Sequence, residues 1–361
     1  MKIALLSYST KPRGGVVHTL ALAEALAAAG QDVTVWTLGR GGDEGFYRPV
    51  DPEVRLRIVP FADGPAGESV GERVLRSIDT LREAFTAEGA GAYDIVHAQD
   101  CISANAVGRC VRTVHHIDHF TTPELAACHE RAIVEPYAHV CVSRTVADEL
   151  AEGWRLSARV IPNGVAYERF AATDPALRAR WAERLGPYVL TVGGIEPRKG
   201  SLDLLEAYAL LRARHPGVKL VVAGGETLFD YRDYRARWEE RAAELAVEPV
   251  VLGAVPDDEL PALVAAASAF AFPSVKEGFG LAAMEALAAG VPLVVRDLPV
   301  LREVFGAAAR FADTPERLAV ELGDALTAAE PERRAAGREL AARHTWAEAA
   351  RLHIDLYSAL L

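Results

Sequence analysis

No apolar run in the 361 residues approaches the ~18 uninterrupted positions that a membrane-crossing helix needs. The opening stretch Met1-Lys2-Ile3-Ala4-Leu5-Leu6 turns polar at Ser7, too soon for a signal-peptide core, and reads as a first buried strand. Cysteine is scarce, and Cys101, Cys110, Cys128 and Cys141 form no Cys-x-x-Cys pair. Without a secretory segment they read as reduced thiols of a cytoplasmic protein. Positive charge is in deficit: 39 Lys and Arg against 50 Asp and Glu give a net charge of -11. Sequence-independent nucleic-acid binding needs a net basic footprint, so a nucleic-acid partner is not expected. Room is left for a local basic pocket that takes phosphate.

Apolar residues make up 50% of the chain and mean hydropathy is +0.09, enough to bury substantial cores and to exclude wholesale disorder. The length suggests two domains, or one unusually large one. Strand-like runs fall at Ile3–Ser7, Asp32–Thr37, Ile95–Ala98, Thr113–Val114, Val140–Ser143 and Val160–Ile161. A second series follows at Tyr188–Val192, Lys219–Ala223, Val250–Gly253, Ala269–Phe272 and Pro292–Arg296. Helical patterns such as Val17–Ala29, Leu202–Arg214, Asp258–Ala267 and Leu281–Ala289 lie between them. Such alternation predicts α/β architecture, with doubly wound parallel sheets covered on both faces. It restarts after the charged, loop-like stretch 166–186, so the expected domains are 1–170 and 187–345, with a hinge at 171–186. Residues 346–361 have helical spacing and are expected to pack back on the N-terminal domain.

Two segments carry chemistry. After the first strand, Tyr8-Ser9-Thr10-Lys11-Pro12-Arg13-Gly14-Gly15 leads into a helix. Paired glycines there let backbone approach a ligand, with the helix N-terminus aimed at an anion; a plain tight turn is the alternative. The segment is neither G-x-G-x-x-G nor G-x-x-x-x-G-K-[ST], so the dehydrogenase and P-loop readings lose their main support. Further on, strand Ala269–Phe272 gives way to a loop and then to the helix from Leu281, stopped by Gly290 and Pro292. Free N–H groups around Gly278, Phe279, Gly280 and Leu281 suit a diphosphate. Glu285 is then placed to accept from ribose hydroxyls, and Glu277 to reach a hexose beyond the phosphates. Two solvated surface glutamates are the plain alternative, which the flanking glycines and the apolar helix face disfavour.

Glu277-Gly-Phe-Gly-Leu-Ala-Ala-Met-Glu285 resembles the E-x7-E signature of family 4 of the retaining glycosyltransferases, two-domain enzymes of GT-B fold. The likeness runs in order along the chain. Pro12-Arg13-Gly14-Gly15 is similar to the family's donor-phosphate turn, Thr113-Val114-His115 to its histidine-bearing strand end, and Ile161-Pro162-Asn163-Gly164-Val165 to its domain-edge motif. Val192-Gly193-Gly194 through Lys199-Gly200 resembles its phosphate-clamping loop, and Val251-Leu252-Gly253 with Val255-Pro256 the segment near the nucleotide base.

The resemblance implies two Rossmann-like domains facing across a cleft, and a hexose moved from a nucleotide-sugar to a small-molecule or glycan acceptor with retained anomeric configuration. It implies His115, Glu277 and Lys199 as catalytic residues, the last with Arg198 neutralising the departing diphosphate. Gly14, Gly15, Leu252, Gly278–Leu281 and Glu285 complete the donor site, and His18, His116, His119 and Asn163 fall on the acceptor side. The family's step is usually described as front-face, so Glu277 is not cast as a nucleophile. Cations and helix N-termini at the diphosphate make a metal unnecessary, and the nucleotide-sugar is a substrate, so no cofactor is expected. Where the family commonly carries an arginine this chain has Gly194; Arg198 is the candidate replacement, with Lys199 acting alone as the alternative.

Other signals are weaker. Gly67-Glu68-Ser69-Val70-Gly71 matches a hydrolase elbow but lacks the preceding strand. His115-His116-Ile117-Asp118-His119 looks like a metal cluster but has no complementary ligand set. His18 suits a helix surface as well as a cleft. The charge-mixed helix Glu72–Glu88 lacks the basic face of a membrane-surface helix. Rival functions on the same fold are a nucleotide-sugar epimerase, a sugar phosphorylase or a non-catalytic nucleotide-sugar sensor.

Overall fold

A computed structural model describes residues 1–65, 67–118, 120, 122–225 and 231–361. The chain divides into two compact units, Met1–Gly164 with Trp346–Leu361, and Val165–Thr345. The changeover falls at Gly164, a few residues ahead of the expected boundary, and the final helix belongs to the first unit.

The first unit is built on strands β1 (Lys2–Leu6), β2 (Asp32–Arg40), β3 (Arg55–Phe61), β4 (Ile95–Ala98), β5 (Val111–Val114), β6 (Ala138–Cys141) and β7 (Arg159–Val160). They form a parallel sheet in the order β3-β2-β1-β4-β5-β6-β7. Its central strands read as almost unbroken Ile, Val, Leu and Ala because both faces are covered. One face is covered by α1 (Gly14–Ala28), whose Val16 and Leu20 pack with Leu5 and Val35. The other is covered by α2 (Val70–Ala87) and α3 (Cys101–Val107), through Leu81, Phe85 and Ala106 against Leu6 and Trp36. The helices α4 (Pro123–Val134) and α5 (Arg144–Trp154) complete the series.

The second unit opens with α6 (Tyr167–Ala171) and α7 (Pro175–Leu185). Its parallel sheet, order β10-β9-β8-β11-β12-β13, comprises β8 (Tyr188–Val192), β9 (Lys219–Ala223), β10 (Val250–Gly253), β11 (Ala269–Phe272), β12 (Leu293–Arg296) and β13 (Arg310–Ala312). Its further helices are α8 (Ser201–Arg214), α9 (Arg232–Glu244), α10 (Leu260–Ala266), α11 (Leu281–Ala288), α12 (Pro299–Phe305), α13 (Pro315–Thr327) and α14 (Pro331–Arg343). The chain then returns to the first unit as α15 (Trp346–Leu360), whose Ala349, Ala350 and Tyr357 are buried with α1 and the sheet.

Three local results differ from the expectations. The stretch 166–186 is mostly helix rather than loop: Asp174 caps α7 through the Ala176 N–H, Pro175 stands at its first position, and Trp181 and Leu185 are buried. Strand β3 escapes the apolar-run criterion because it is an edge strand carrying Arg55, Arg57 and Pro60. Strand β13 is only three residues long. Ser69, centre of the elbow look-alike, is a helix cap: its hydroxyl accepts from Glu72 N–H at 3.2 Å, while the Glu72 carboxylate accepts from Ser69 N–H at 2.8 Å.

Among the described residues no helix is long and apolar enough to cross a membrane, and the four cysteines are free. Burial pushes Cys101, Cys110 and Cys141 up to about 12, so these three stay thiols.

Candidate active site

In the second unit, β8 runs into a turn that crosses back over the end of β11. Gly193 (φ 144°) and Gly200 (φ 63°) adopt backbone that side chains resist. A Cβ on Gly200 would stand 2.2 Å from the carbonyl oxygen of Pro273, so only glycine lets the two loops touch. Val275 N–H donates to the Arg198 carbonyl at 2.8 Å, locking them together. This juxtaposition brings three predicted residues to one point. Lys199 Nζ donates to Glu277 Oε1 at 2.6 Å and Arg198 Nη1 to the same oxygen at 2.9 Å. Glu196, which motif reading passed over, accepts from Arg198 Nη2 at 3.1 Å. Lys199 also lies 5.1 Å from the Phe272 ring centroid. Burial pulls its pKa down, and the facing Glu277 carboxylate partly offsets this.

Just beyond Glu277, Gly280 stands at the cap of helix α11 with φ 98° and supplies no side-chain cap. Its first N–H groups are therefore open to an anion. Phe279 is buried at 3% exposure, so only its backbone is available to a ligand. Glu285 is half-buried one turn into α11 and takes no part in the Arg198–Lys199–Glu277 contacts. Burial raises its pKa to about 8; Arg169 opposes the shift and Asp257 adds to it. Arg169 itself pairs with Asp257 at 2.7 Å. Leu252 is half-buried on β10, beside Gly253 with φ 69°.

In the first unit, Gly14 and Gly15 are the first residues of α1, which has neither a side-chain cap nor an acidic residue in its first turn. The ring of His115, one residue past β5, lies 3.9 Å from where a Gly15 Cβ would stand. His18 is not on a helix surface: it is 1% exposed, its ring centroid is 4.7 Å from that of His115, and its Nδ1 bonds Asn163 Oδ1 at 2.9 Å. Behind them His97 joins Tyr357 Oη at 2.6 Å and Thr113 Oγ1 at 2.7 Å, and His353 bonds the Ala349 carbonyl at 2.7 Å. Burial pushes His18 down to about 3 and His353 to about 4, and holds His97 and His115 well below the ordinary range. All four rings are neutral at pH 7, and the Nε2 of His115 is buried without a hydrogen bond among the described residues. His116 pairs instead with Asp118 at 3.2 Å, and His119 lies outside the described residues. Among the described residues no three His, Cys, Asp or Glu side chains group to hold a metal.

Motif reading passed over His97, His353 and Tyr357. The i,i+4 spacing of the last two on a helical pattern was the available signal, since it puts them on one face.

Solved structures share this pair of parallel-sheet units. Sucrose-phosphate synthase from Thermosynechococcus elongatus superposes with a TM-score of 0.81 at 22% identity, covering 99% of this chain and 98% of the synthase. WaaG, a glycosyltransferase involved in lipopolysaccharide biosynthesis, superposes at 0.73 with 17% identity over 98% of this chain and 99% of its own. The fold is that of the GT-B glycosyltransferases. The chain belongs to the glycosyl transferases group 1, whose pattern matches residues 176–351, with Glycosyltransferase Family 4 matching residues 12–169. Phosphatidyl-myo-inositol mannosyltransferase of Mycolicibacterium smegmatis is 30% identical over 326 residues, 84% of this chain and 78% of the relative. Glycogen synthase of Mycobacterium tuberculosis is 30% identical over 84% of this chain and 80% of its own.

Proposed function

We propose that this glycosyltransferase moves a hexose from a nucleotide-sugar to its acceptor with retained anomeric configuration and without a metal ion. The observation that carries the reading is the convergence of Arg198 and Lys199 on Glu277 beside the uncapped start of α11. Cleaving a glycosyl–diphosphate bond places negative charge on the leaving phosphate, and two cations with a helix N-terminus stabilise it where it develops. Arg198 and Lys199 then serve the diphosphate together, in the role left open by Gly194. Glu277, held by the same cations, orients hexose hydroxyls, Glu285 accepts from the ribose, and Leu252 lies by the base. On the other unit Gly14-Gly15 and the neutral His115 attend the donor sugar, with His18 and Asn163 on the acceptor side. The structure of HepE from Anabaena in complex with UDP and glucose, at TM-score 0.72 and 20% identity over all of both chains, is in keeping with such a donor.

Thermal unfolding against UDP, GDP, ADP, CMP and dTDP, with and without EDTA, tests this. One nucleotide at a hundred times its Kd should add about 2.7 kcal/mol of stability. Stabilisation by none of them overturns the donor site, and its loss in EDTA overturns metal independence. The anomeric configuration of the product, read by NMR, decides the stereochemistry.

A further inference from the structure

The first unit holds a second charged cluster, which starts at the turn before α1 but is made of side chains to which the proposed donor site, resting there on Gly14 and Gly15, gives no role. It lies where β1 and β2 end, at the carboxyl edge of the parallel sheet where ligands of such folds gather. Tyr8 stands between two guanidinium groups, with Arg13 Cζ 5.4 Å and Arg40 Cζ 6.0 Å from its ring centroid. Arg13 Nη1 donates to the Tyr8 hydroxyl at 3.0 Å. Arg40 donates through Nε to the Tyr8 carbonyl at 3.3 Å and through Nη2 to Ser77 Oγ at 2.8 Å, and lies over Phe61 at 4.7 Å. Arg73, from α2, is close enough to repel it: burial first, then Arg13 and Arg73, lowers the pKa of Arg40 to about 10.

The neighbouring acids are otherwise engaged. Asp100 caps α3 through Ser103 N–H and Oγ, both at 2.8 Å, and Glu68 grips Arg76 at 2.7 and 3.0 Å. In a chain with surplus carboxylates, most arginines find one, as Arg48 does with Glu24 and Arg310 with Glu321. Arg13 and Arg40 have none in ion-pair range among the described residues. Arg13 Nε is buried with no hydrogen bond, and Arg40 Nη1 and the Tyr8 hydroxyl proton are likewise uncommitted among the described residues.

We propose that Tyr8, Arg13, Arg40 and Arg73 bind a phosphate group carried by the sugar acceptor. Planar guanidinium forks suit phosphate oxygens, and a dianion relieves the repulsion among the three cations. Arg198 and Lys199 already answer the donor's diphosphate, so this second anion site calls for a second phosphate. The assignment to the acceptor rests on the glycosyltransferase reading above; the anion site itself does not.

Equilibrium binding tests it on the whole chain. The probes are glucose and glucose 6-phosphate, and vesicles of phosphatidylcholine with and without phosphatidylinositol; the two pairs separate a soluble phosphate ester from a lipid headgroup. The expected result is a preference for the phosphorylated member of at least one pair, cut on the order of ten- to a hundredfold in Arg40→Gln. Nucleoside diphosphate affinity, measured on the same samples, reports whether the variant is folded. Should Arg40→Gln not fold, Arg73→Gln on the α2 surface gives the same readout. No preference in either pair, or a preference unchanged in a folded variant, overturns the proposal. A preference that survives when no nucleotide binds leaves the anion site standing and removes the donor reading instead.

Discussion

Glu285 is a carboxyl group that the fold keeps protonated. Its pKa, about 8 against an ordinary 4.5, means that the folded chain binds this proton more tightly than the unfolded chain does. Its contribution to stability therefore falls as pH rises from about 4.5 through 8. Glu285→Gln should flatten that part of the stability–pH curve, as urea titrations at pH 5, 7 and 9 will show. Ribose hydroxyls donate to a carboxylate and favour its ionised form, so nucleotide binding near pH 7 should release a proton. Calorimetry in two buffers of different ionisation enthalpy detects it, and equal heats in both count against the ribose role. Glu285→Ala should weaken nucleotide binding by roughly 1.5–3 kcal/mol, the worth of a charge-assisted hydrogen bond. Glu277→Ala should lower turnover more than affinity; a loss confined to affinity would mean that it does not act on the transition state.

At the scale of elements, the turn at Gly200 holds two loops in register. Gly200→Ala puts a Cβ against a backbone oxygen and should cost about 1–3 kcal/mol in strain. Because the same contact sets the distance from Lys199 to Glu277, turnover should fall with it; full activity in a destabilised variant would separate the two. Gly280→Ala, with φ 98° and a Cβ 3.1 Å from Phe305, should act likewise on the start of α11. These positions also mark how far the sequence could be read. Strands buried on both faces announce themselves as apolar runs, and the E-x7-E segment and the loop before α8 mark a candidate site. Arg198, Lys199 and Glu277 were therefore legible as candidates in the sequence itself. Edge strand β3 was not, because its exposed positions carry arginine and proline. The link from His97 to Tyr357 was not either, because it joins positions 260 residues apart whose pairing depends on topology.

At the scale of the whole molecule, the first unit is made from two separated pieces of chain. Tyr357 is fully buried and its hydroxyl holds His97, so Tyr357→Phe should destabilise the first unit by about 1–3 kcal/mol, read by urea unfolding. An unchanged midpoint would mean that the hydrogen bond contributes nothing. The same arrangement matters during synthesis. Residues 1–164 leave the ribosome while α15 does not yet exist, and all of residues 165–345 must be translated before it does. At 5–20 residues per second that interval is ~10–40 s. During it the apolar side of α1 awaits its cover, and by its end the later unit has every residue it needs. The half of the chain made first is thus expected to be the half that finishes folding last.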